Sequence, residues 1–521
     1  LRQVSIRWLA RFVGRVNMKS SHGGPFAVCA IVAIASVTDI THALKETKPA
    51  MHLLGLIRRS CFAVAFCTLL TTNTIGQELA QSSTRLTLSA AVDFALAHYP
   101  AVRESMERYS AARESVGLAR TSYLPRMDLL WQSNRATRNN IFGALLPQSV
   151  IPSISGPVLS QTSDHGVWGS AGGVLVSWEP FDFGYRTAAV DVTKAAQQRA
   201  NAQLSLTRLD VAARAADAFL TLAATMQKTK AAQADVDRRG VLAQSVHVLV
   251  EQELRPGVDT SRADAELAAA KIQMIVAQQA EDDARADFEQ LLGVAGKNIE
   301  IELAGLLDTA PAGSTQEGSL KDHPAALVEA ARIDESNARE REVGRSYFPH
   351  FDLQGAFFGR GSGANPDGTF GSGTDGFGLT RKNWAVGLTA TFPAMDIFGL
   401  HFKKSIEQAN ERTQHEHYDE TMQELTNRSE KALAAYKAAQ DIAANTPAEL
   451  KAAQQGETQS RARYQAGLTT IVEVADAQRL LLQAQIDDNL AHLSVWRALL
   501  AEAFAQGRLE SFLDAVRKSE K

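Results

Sequence analysis

Three cysteines, Cys29, Cys61 and Cys67, are all that a chain of 521 residues contains, and each lies within its first seventy. Beyond them there is no thiol, which excludes a disulfide framework, a cysteine nucleophile and a thiolate metal site together. Proline is missing from 185–254 and again from 400–446, so nothing there interrupts a long helix. Basic excess is missing as well. A formal net charge of −4 leaves no surplus to neutralise phosphates, and no nucleic-acid partner is expected. No glycine-rich phosphate loop follows a strand, since "GRGSGANPDG" at 359–368 runs into more glycine and reads as a mobile loop. No serine elbow is present, and His415 and His417 have the wrong spacing for a helical zinc pair. The expectation is a protein that is not an enzyme, with no catalytic residue, cofactor or metal.

What is present begins with a leader. From Met51 the chain reads "MHLLGLIRRSCFAVAFCTLLTTNTIGQELAQ", two arginines followed by an apolar run and then small and polar residues. That is the layout of a secretory signal peptide, too short for a spanning helix. Residues 51–80 are assigned to it, with cleavage between Gly76 and Ala80. Phe66 before Cys67 spoils a lipidation motif. A second signal-like segment starts at Met18, so 1–50 is read as an over-extended N-terminal segment.

The remainder is written twice. "YLPRMDLLW" at 123–131 is echoed by "YFPHFDLQG" at 347–355. Tyr123 and Tyr347, Pro125 and Pro349, Asp128 and Asp352, and also Pro100 and Pro324, all stand 224 apart (347 − 123). "SWEPFDFG" at 177–184 pairs with "TFPAMDIFG" at 391–399, and "RPGVDT" from 255 with "QAGLTT" from 465. Two copies of this length indicate gene duplication, not a short-repeat solenoid. The repeats are placed at 81–292 and 321–506, with a linker at 293–320 and a tail at 507–521.

Each copy has one plan. A helix (86–121; 321–346) ends at proline. Strands follow at about 124–136 and 166–180, and at about 348–360 and 382–394, around loops rich in Gly, Ser, Asn and Pro (137–165; 360–381). After Gly184 or Gly399 comes a long alanine-rich helical stretch. Seventy residues at about 1.5 Å each would span on the order of 100 Å. The chain breaks near Gly257 or Gly467 and returns as helices 260–292 and 469–506, a coiled-coil arrangement.

The strands alternate. Met127, Leu129 and Trp131 share a face, as do Trp168, Val174, Val176 and Trp178. Phe351, Leu353 and Phe357, then Trp384, Val386, Leu388 and Phe392, repeat the pattern. Apolar strands with tryptophans near their ends fit an outer-membrane barrel whose aromatic girdle is Trp131, Trp168, Trp178, Trp384 and Phe392. Four strands cannot close a barrel, and open edges are forbidden in hydrocarbon. The chain must therefore supply part of a shared barrel, and three copies would give twelve strands.

These residues resemble the TolC family of outer-membrane efflux proteins. The resemblance rests on "LTLSAAVDFALAHYPAV", the two duplicated strand starts, "WEPFDFG" and "RYQAGLTTIVEVADAQRLLLQAQ" at 463–485. It implies a mainly α chain with a membrane β-barrel portion: a homotrimer forming a twelve-stranded barrel in outer-membrane lipid, continued by a helical tunnel across the periplasm. The implied function is the exit duct of a tripartite efflux pump, opened by a periplasmic adaptor and energised by an inner-membrane transporter of RND, ABC or MFS type. A type I secretion outer-membrane component is the alternative, and a periplasmic structural coiled coil is the alternative of a different class. By resemblance the helix tips, Gly257, Val258, Asp259 and Thr260 in one copy and Gly467, Leu468, Thr469 and Thr470 in the other, meet the adaptor. Both glycines are expected to permit the tip turns. Glu473 and Asp476, at i and i+3, share a helix face and would form a cation-favouring ring at the periplasmic aperture. Tyr464 supports the gate, but the arginine that the family's best-known member carries at the position of Thr469 is missing.

Overall fold

The computed structural model describes residues 85–520, apart from 138, 140–161, 298, 304, 308–310, 312–317, 366, 368 and 372. The expected leader and most of the loop at 137–165 lie outside those residues. The chain opens with α1 (Leu88–His98) and α2 (Pro100–Arg120). A single helix over 86–121 was expected; Pro100 instead holds Tyr99 in an extended conformation (φ −67°, ψ 129°) and starts a new helix at its own position. Thr87 caps α1 by accepting from the Ala90 N–H. Then follow β1 (Arg126–Thr137), β2 (Gly166–Phe181), α3 (Tyr185–Glu251) and α4 (Val258–Leu291). The second copy runs α5 (Pro324–Arg345), β3 (His350–Ser362), β4 (Arg381–Thr391), α6 (Asp396–Gln465) and α7 (Ile471–Ala505).

All four strands form one antiparallel sheet in the order β1-β2-β3-β4. Register carries the sequence alternation across the whole sheet. Leu129 faces Val174, Val174 faces Phe357, and Phe357 faces Trp384. The next row is Met127, Val176, Gly355 and Val386. The opposite face carries Asp128, Gln132, Asp352 and Gln354. Among the described residues, β1 and β4 each keep one edge without a partner strand.

Long helices need lateral support, and the main core supplies it where α1, α3, α4 and α7 meet. Leu88, Phe219, Phe288, Trp496 and Phe512 are fully buried there. The stretch at 293–320 is more than a linker: Leu306 is buried in this core and its carbonyl accepts the Trp496 indole N–H at 3.1 Å. Nor is 507–521 a loose tail. It contains α8 (Glu510–Ser519), which inserts Phe512 and Val516. The Glu520 carboxylate beyond it accepts from the Ser89 hydroxyl and N–H at the start of α1.

α6 runs through Pro447 without a break. The ring removes one ladder donor and leaves the Ala443 carbonyl unserved. The Thr446 hydroxyl, buried beside it, donates to that carbonyl at 3.5 Å. Among the described residues, no helix is long and apolar enough to cross a membrane.

Candidate functional site at the helical tips

Both helical hairpins end in turns of one geometry. In the second, Gly467 adopts φ +80°, its N–H bonds to Tyr464 O at 3.0 Å, and the Leu468 N–H bonds back to Arg463 O at 2.9 Å. This is a left-handed helix cap, and glycine takes it without strain. In the first, the left-handed residue is Glu253 (φ +60°), whose N–H bonds to Val250 O at 2.9 Å while Leu254 N–H bonds to Leu249 O at 2.9 Å. The expectation that Gly257 makes this turn is corrected: its φ of −61° and ψ of −19° are those of an ordinary right-handed residue leading into α4. Chain reversal is completed four residues earlier, by a non-glycine.

Around these turns a small apolar cluster closes the hairpins on each other: Ala243, Val246 and Ala263 from the first, Tyr464, Ile471 and Val474 from the second. Tyr464 is the centre of it, 1% exposed. Its hydroxyl donates to Asp259 Oδ2 at 3.0 Å, and its backbone carbonyl accepts from Arg255 Nη2. The Arg255 guanidinium lies 4.4 Å from the centre of the Tyr464 ring, within cation–π range. Burial and the hydrogen bond to the Asp259 carboxylate push the phenol up to about 12, so Tyr464 is a neutral donor at physiological pH. The structure thus joins Tyr464 and Asp259, both singled out in the sequence. Arg255 was missed, because nothing in "LRPGVDT" marks a partner 209 positions away.

The other tip residues are distributed differently. Val258 and Leu468 are exposed. Thr260 donates to Gly257 O at 2.6 Å within its own turn. Thr470 precedes α7 in an extended conformation without a side-chain cap bond. Thr469 is 8% exposed and its hydroxyl has no hydrogen-bond partner among the described residues. Glu473 and Asp476 are exposed on α7, as expected for a shared face, but Asp476 is engaged by Arg479 three positions on. Among the described residues, no group of three His, Cys, Asp or Glu side chains could hold a metal ion.

At the opposite end, Trp131 and Trp384 stand exposed on the apolar face of the sheet, and Phe392, just beyond β4, is exposed too. Trp178 donates its indole N–H to Tyr123 O at 3.1 Å, marking where sheet meets helices. Trp168, ten residues along β2, packs against Phe377 at 4.6 Å between ring centres. A buried ion pair, also missed in the sequence, fixes the sheet-to-helix junction. Asp182 accepts from the Gly184 N–H, the Arg186 N–H and Arg186 Nε, while Arg186 Nη1 reaches Ser122 O at 3.1 Å. Burial alone would raise the Asp182 carboxyl, but hydrogen bonds from Arg186 and Gly184 outweigh it and hold it below its usual value. The signal was the Asp182 in "WEPFDFG" followed four residues later by arginine.

A sheet apolar on one face, open at both edges and continued by two long capped hairpins, defines a subunit of a TolC-like channel. The profile described as "Outer membrane efflux protein" matches residues 91–294 and 318–507, and the chain belongs to that family. Protein CyaE of Bordetella pertussis is 27% identical over 213 residues, 40% of this chain and 40% of that protein. The chain thus matches less than half the length of this relative. Among solved structures, the outer-membrane channel OprN superposes with a TM-score of 0.65 at 19% identity, covering 81% of this chain and 89% of that one. The CmeC outer membrane channel of Campylobacter jejuni gives 0.65 at 16% identity, covering 83% and 89%. Family and fold make this a transport protein of the outer membrane, not an enzyme.

Proposed function

We propose that the chain is the outer-membrane exit duct of a tripartite efflux pump. The observation that carries this reading is the four-stranded sheet with an apolar face and two open edges. Such a sheet is stable in hydrocarbon only when each edge finds another copy, because every unpaired backbone group there costs several kcal/mol. Three copies give a closed twelve-stranded barrel whose polar face, with Asp128, Gln132, Asp352 and Gln354, lines a wet lumen. Trp168 and Trp178 stand ten residues apart on β2. At about 3.3 Å per residue and a tilt near 40°, that is roughly 25 Å of height, the thickness of a barrel's apolar band.

Below the barrel the hairpins form the tunnel, and the tips form its periplasmic aperture. Adaptor contact falls to the exposed tip residues Val258 and Leu468 and the turns around them, and an inner-membrane transporter supplies the energy. Glu473 and Asp476 line the aperture and favour cations. Transport through the duct is passive. The test is biochemical and electrical together. Detergent extracts of outer membranes should yield a trimer, and the trimer should conduct in planar bilayers. A monomer in the soluble fraction would end this reading.

A further inference from the structure

The last part of the segment between β3 and β4 folds back onto the sheet. Ser170 of β2, 3% exposed, donates its hydroxyl to Gly376 O at 2.6 Å, with Phe377 O at 3.1 Å. The Gly363 N–H bonds to Trp168 O at 2.8 Å, and the Phe377 ring centre lies 4.6 Å from that of Trp168. Register tells which face is covered. Gly172 and Ser170 stand two and four residues from Val174 along β2, hence on its apolar face. Gly172 pairs with Trp131 and Gly359, and Ser170 with Ser133 and Gly361. A Cβ at Gly361 would strike Gly378 O, and one at Gly359 would lie 2.9 Å from Leu379 Cβ. Glycines inside a strand weaken it, and here the close approach of a second backbone accounts for them. Residues 376–379 therefore lie flat on the apolar face, at the end away from the helices.

Seated there, the segment turns apolar groups outward. Phe377 and Leu379 stay 38% and 36% exposed, on the face that also presents Trp131 at 65%. Two exposed cations share this face and this end. Arg135, near the end of β1, sets its guanidinium 5.8 Å from the centre of the Trp168 ring. Lys382, at the start of β4, stands in the row of Gly359. The segment's own acids are occupied within it: Thr369 donates its N–H and hydroxyl to Asp367, and Asp375 packs over Gly371. Closing a barrel sets β4 of one copy against β1 of the next. Each seam then carries Lys382 and Arg135 on adjacent strands, on the lipid side.

We propose that this rim of the apolar face binds phosphate-bearing lipid headgroups of the surrounding leaflet. Arg135 and Lys382 hold the phosphate, and Trp131, Phe377 and Leu379 rest on the acyl chains beneath it. The proposal rests on the exit-duct reading, which turns this face to lipid. A long basic side chain keeps its stem in the apolar layer while its charge reaches the headgroups, and aromatic rings settle at the same level. Anionic headgroups are the complement of two cations so placed.

The experiment titrates the purified full-chain trimer in neutral detergent with lipid A, a phosphorylated glycolipid, following tryptophan fluorescence beside thermal melting. Arg135→Gln combined with Lys382→Gln should weaken binding by about tenfold or more. Arg135→Lys combined with Lys382→Arg should bind as the wild type does. Phe377→Ser, which leaves both charges, should weaken binding by a smaller factor. Lipid A stripped of its phosphates should bind the wild type about as weakly as intact lipid A binds the double glutamine variant. That comparison needs only the wild type, so it stands even if the variant fails to assemble. Equal binding of intact and stripped lipid, or of wild type and glutamine variant, would overturn the proposal. Full competition by inorganic phosphate at matched concentration would also overturn it, making this a site for the free anion. A trimer that conducts but shows no preference for phosphorylated lipid would remove this site and leave the exit duct standing. A chain that never forms a trimer would instead overturn the exit duct itself.

Discussion

Helix α7 presents Ile471, Gln478, Gln485, His492 and Leu499 at seven-residue steps, so one stripe of a heptad seam is apolar at its ends and polar in its middle. Gln478 is 2% exposed, and the Oε1 atoms of Gln478 and Gln485 and Nδ1 of His492 have no hydrogen-bond partner among the described residues. Tyr464 and Ile471 share the tip cluster. One heptad back along each antiparallel helix brings Glu457 into the layer of Gln478. Glu457 is also buried, and its Oε1 has only Arg461 Nε at 3.7 Å, too far for a hydrogen bond. Replacing Gln478 with Met keeps length, shape and helix propensity and removes the stranded acceptor. A buried unsatisfied polar group costs about 1–3 kcal/mol, so Gln478→Met should stabilise the lower α6–α7 hairpin by roughly 1–2 kcal/mol per protomer. Hydrogen exchange reads this directly. Protection of amides near 470–490 should rise about five- to thirty-fold if they exchange by local opening. Unchanged protection, or a loss of it, would show that Gln478 is satisfied in place and would refute the argument.

His323 caps α5 as a neutral ring: Nδ1 accepts from the Ala325 N–H at 3.0 Å, and Nε2 donates to Phe504 O at 3.2 Å. Burial lowers its pKa from 6.5. Its contribution is therefore complete above that value and lost as pH falls below it. The wild-type melting point should drop between neutral and mildly acidic pH, and His323→Asn, which keeps a cap without titrating, should show a smaller drop. Tyr464 has the opposite sign: the raised phenol stabilises the fold below the ordinary value of 10 and loses that contribution as pH rises through about 12. Phenolate absorbance of the eight tyrosines should include a late component near 12, and Tyr464→Phe should remove it. At the proposed aperture, Arg479 already balances Asp476. Glu473→Gln alone should weaken block by multivalent cations, and Asp476→Asn should do less; the reverse order would displace Glu473 from the lumen.

Much of the fold was readable because its rules are periodic. A two-residue alternation placed both faces of the sheet, and matched strand starts placed the repeats. Prolines placed helix ends, although Pro100 starts a helix and Pro447 is carried inside one. The Tyr464–Asp259 contact joins two residues already singled out. What escaped was decided by backbone conformation or by long-range contact. A left-handed Glu253 is invisible beside a nearby glycine, and only the cap bonds reveal that the motif glycines are not equivalent. Leu306 and α8 looked like linker and tail because short apolar segments have no meaning until a core receives them.

Duplication makes the remaining asymmetry informative. Two halves built on one plan should solve the same packing problem in the same way unless they have different tasks. In the first hairpin a buried carboxylate is fully served: Asp235 accepts from Arg239 Nε at 2.7 Å, and Arg239 Nη1 bonds Glu266 at 2.6 Å. There one nitrogen, Arg238 Nε, is stranded, whereas in the second Glu457, Gln478 and Gln485 leave three oxygens stranded and a proline interrupts the donor ladder of α6. A closed charge network stiffens a helix pair, whereas unsatisfied layers lower the cost of separating one. The first hairpin is therefore expected to stay fixed and the second to yield. The arginine at the tips agrees, since it is anchored on the fixed hairpin and holds the end of the yielding one. Pro447→Ala, which restores the missing ladder donor, should then reduce open probability in planar-bilayer recordings, while a proline-free α3 offers no equivalent position to relieve.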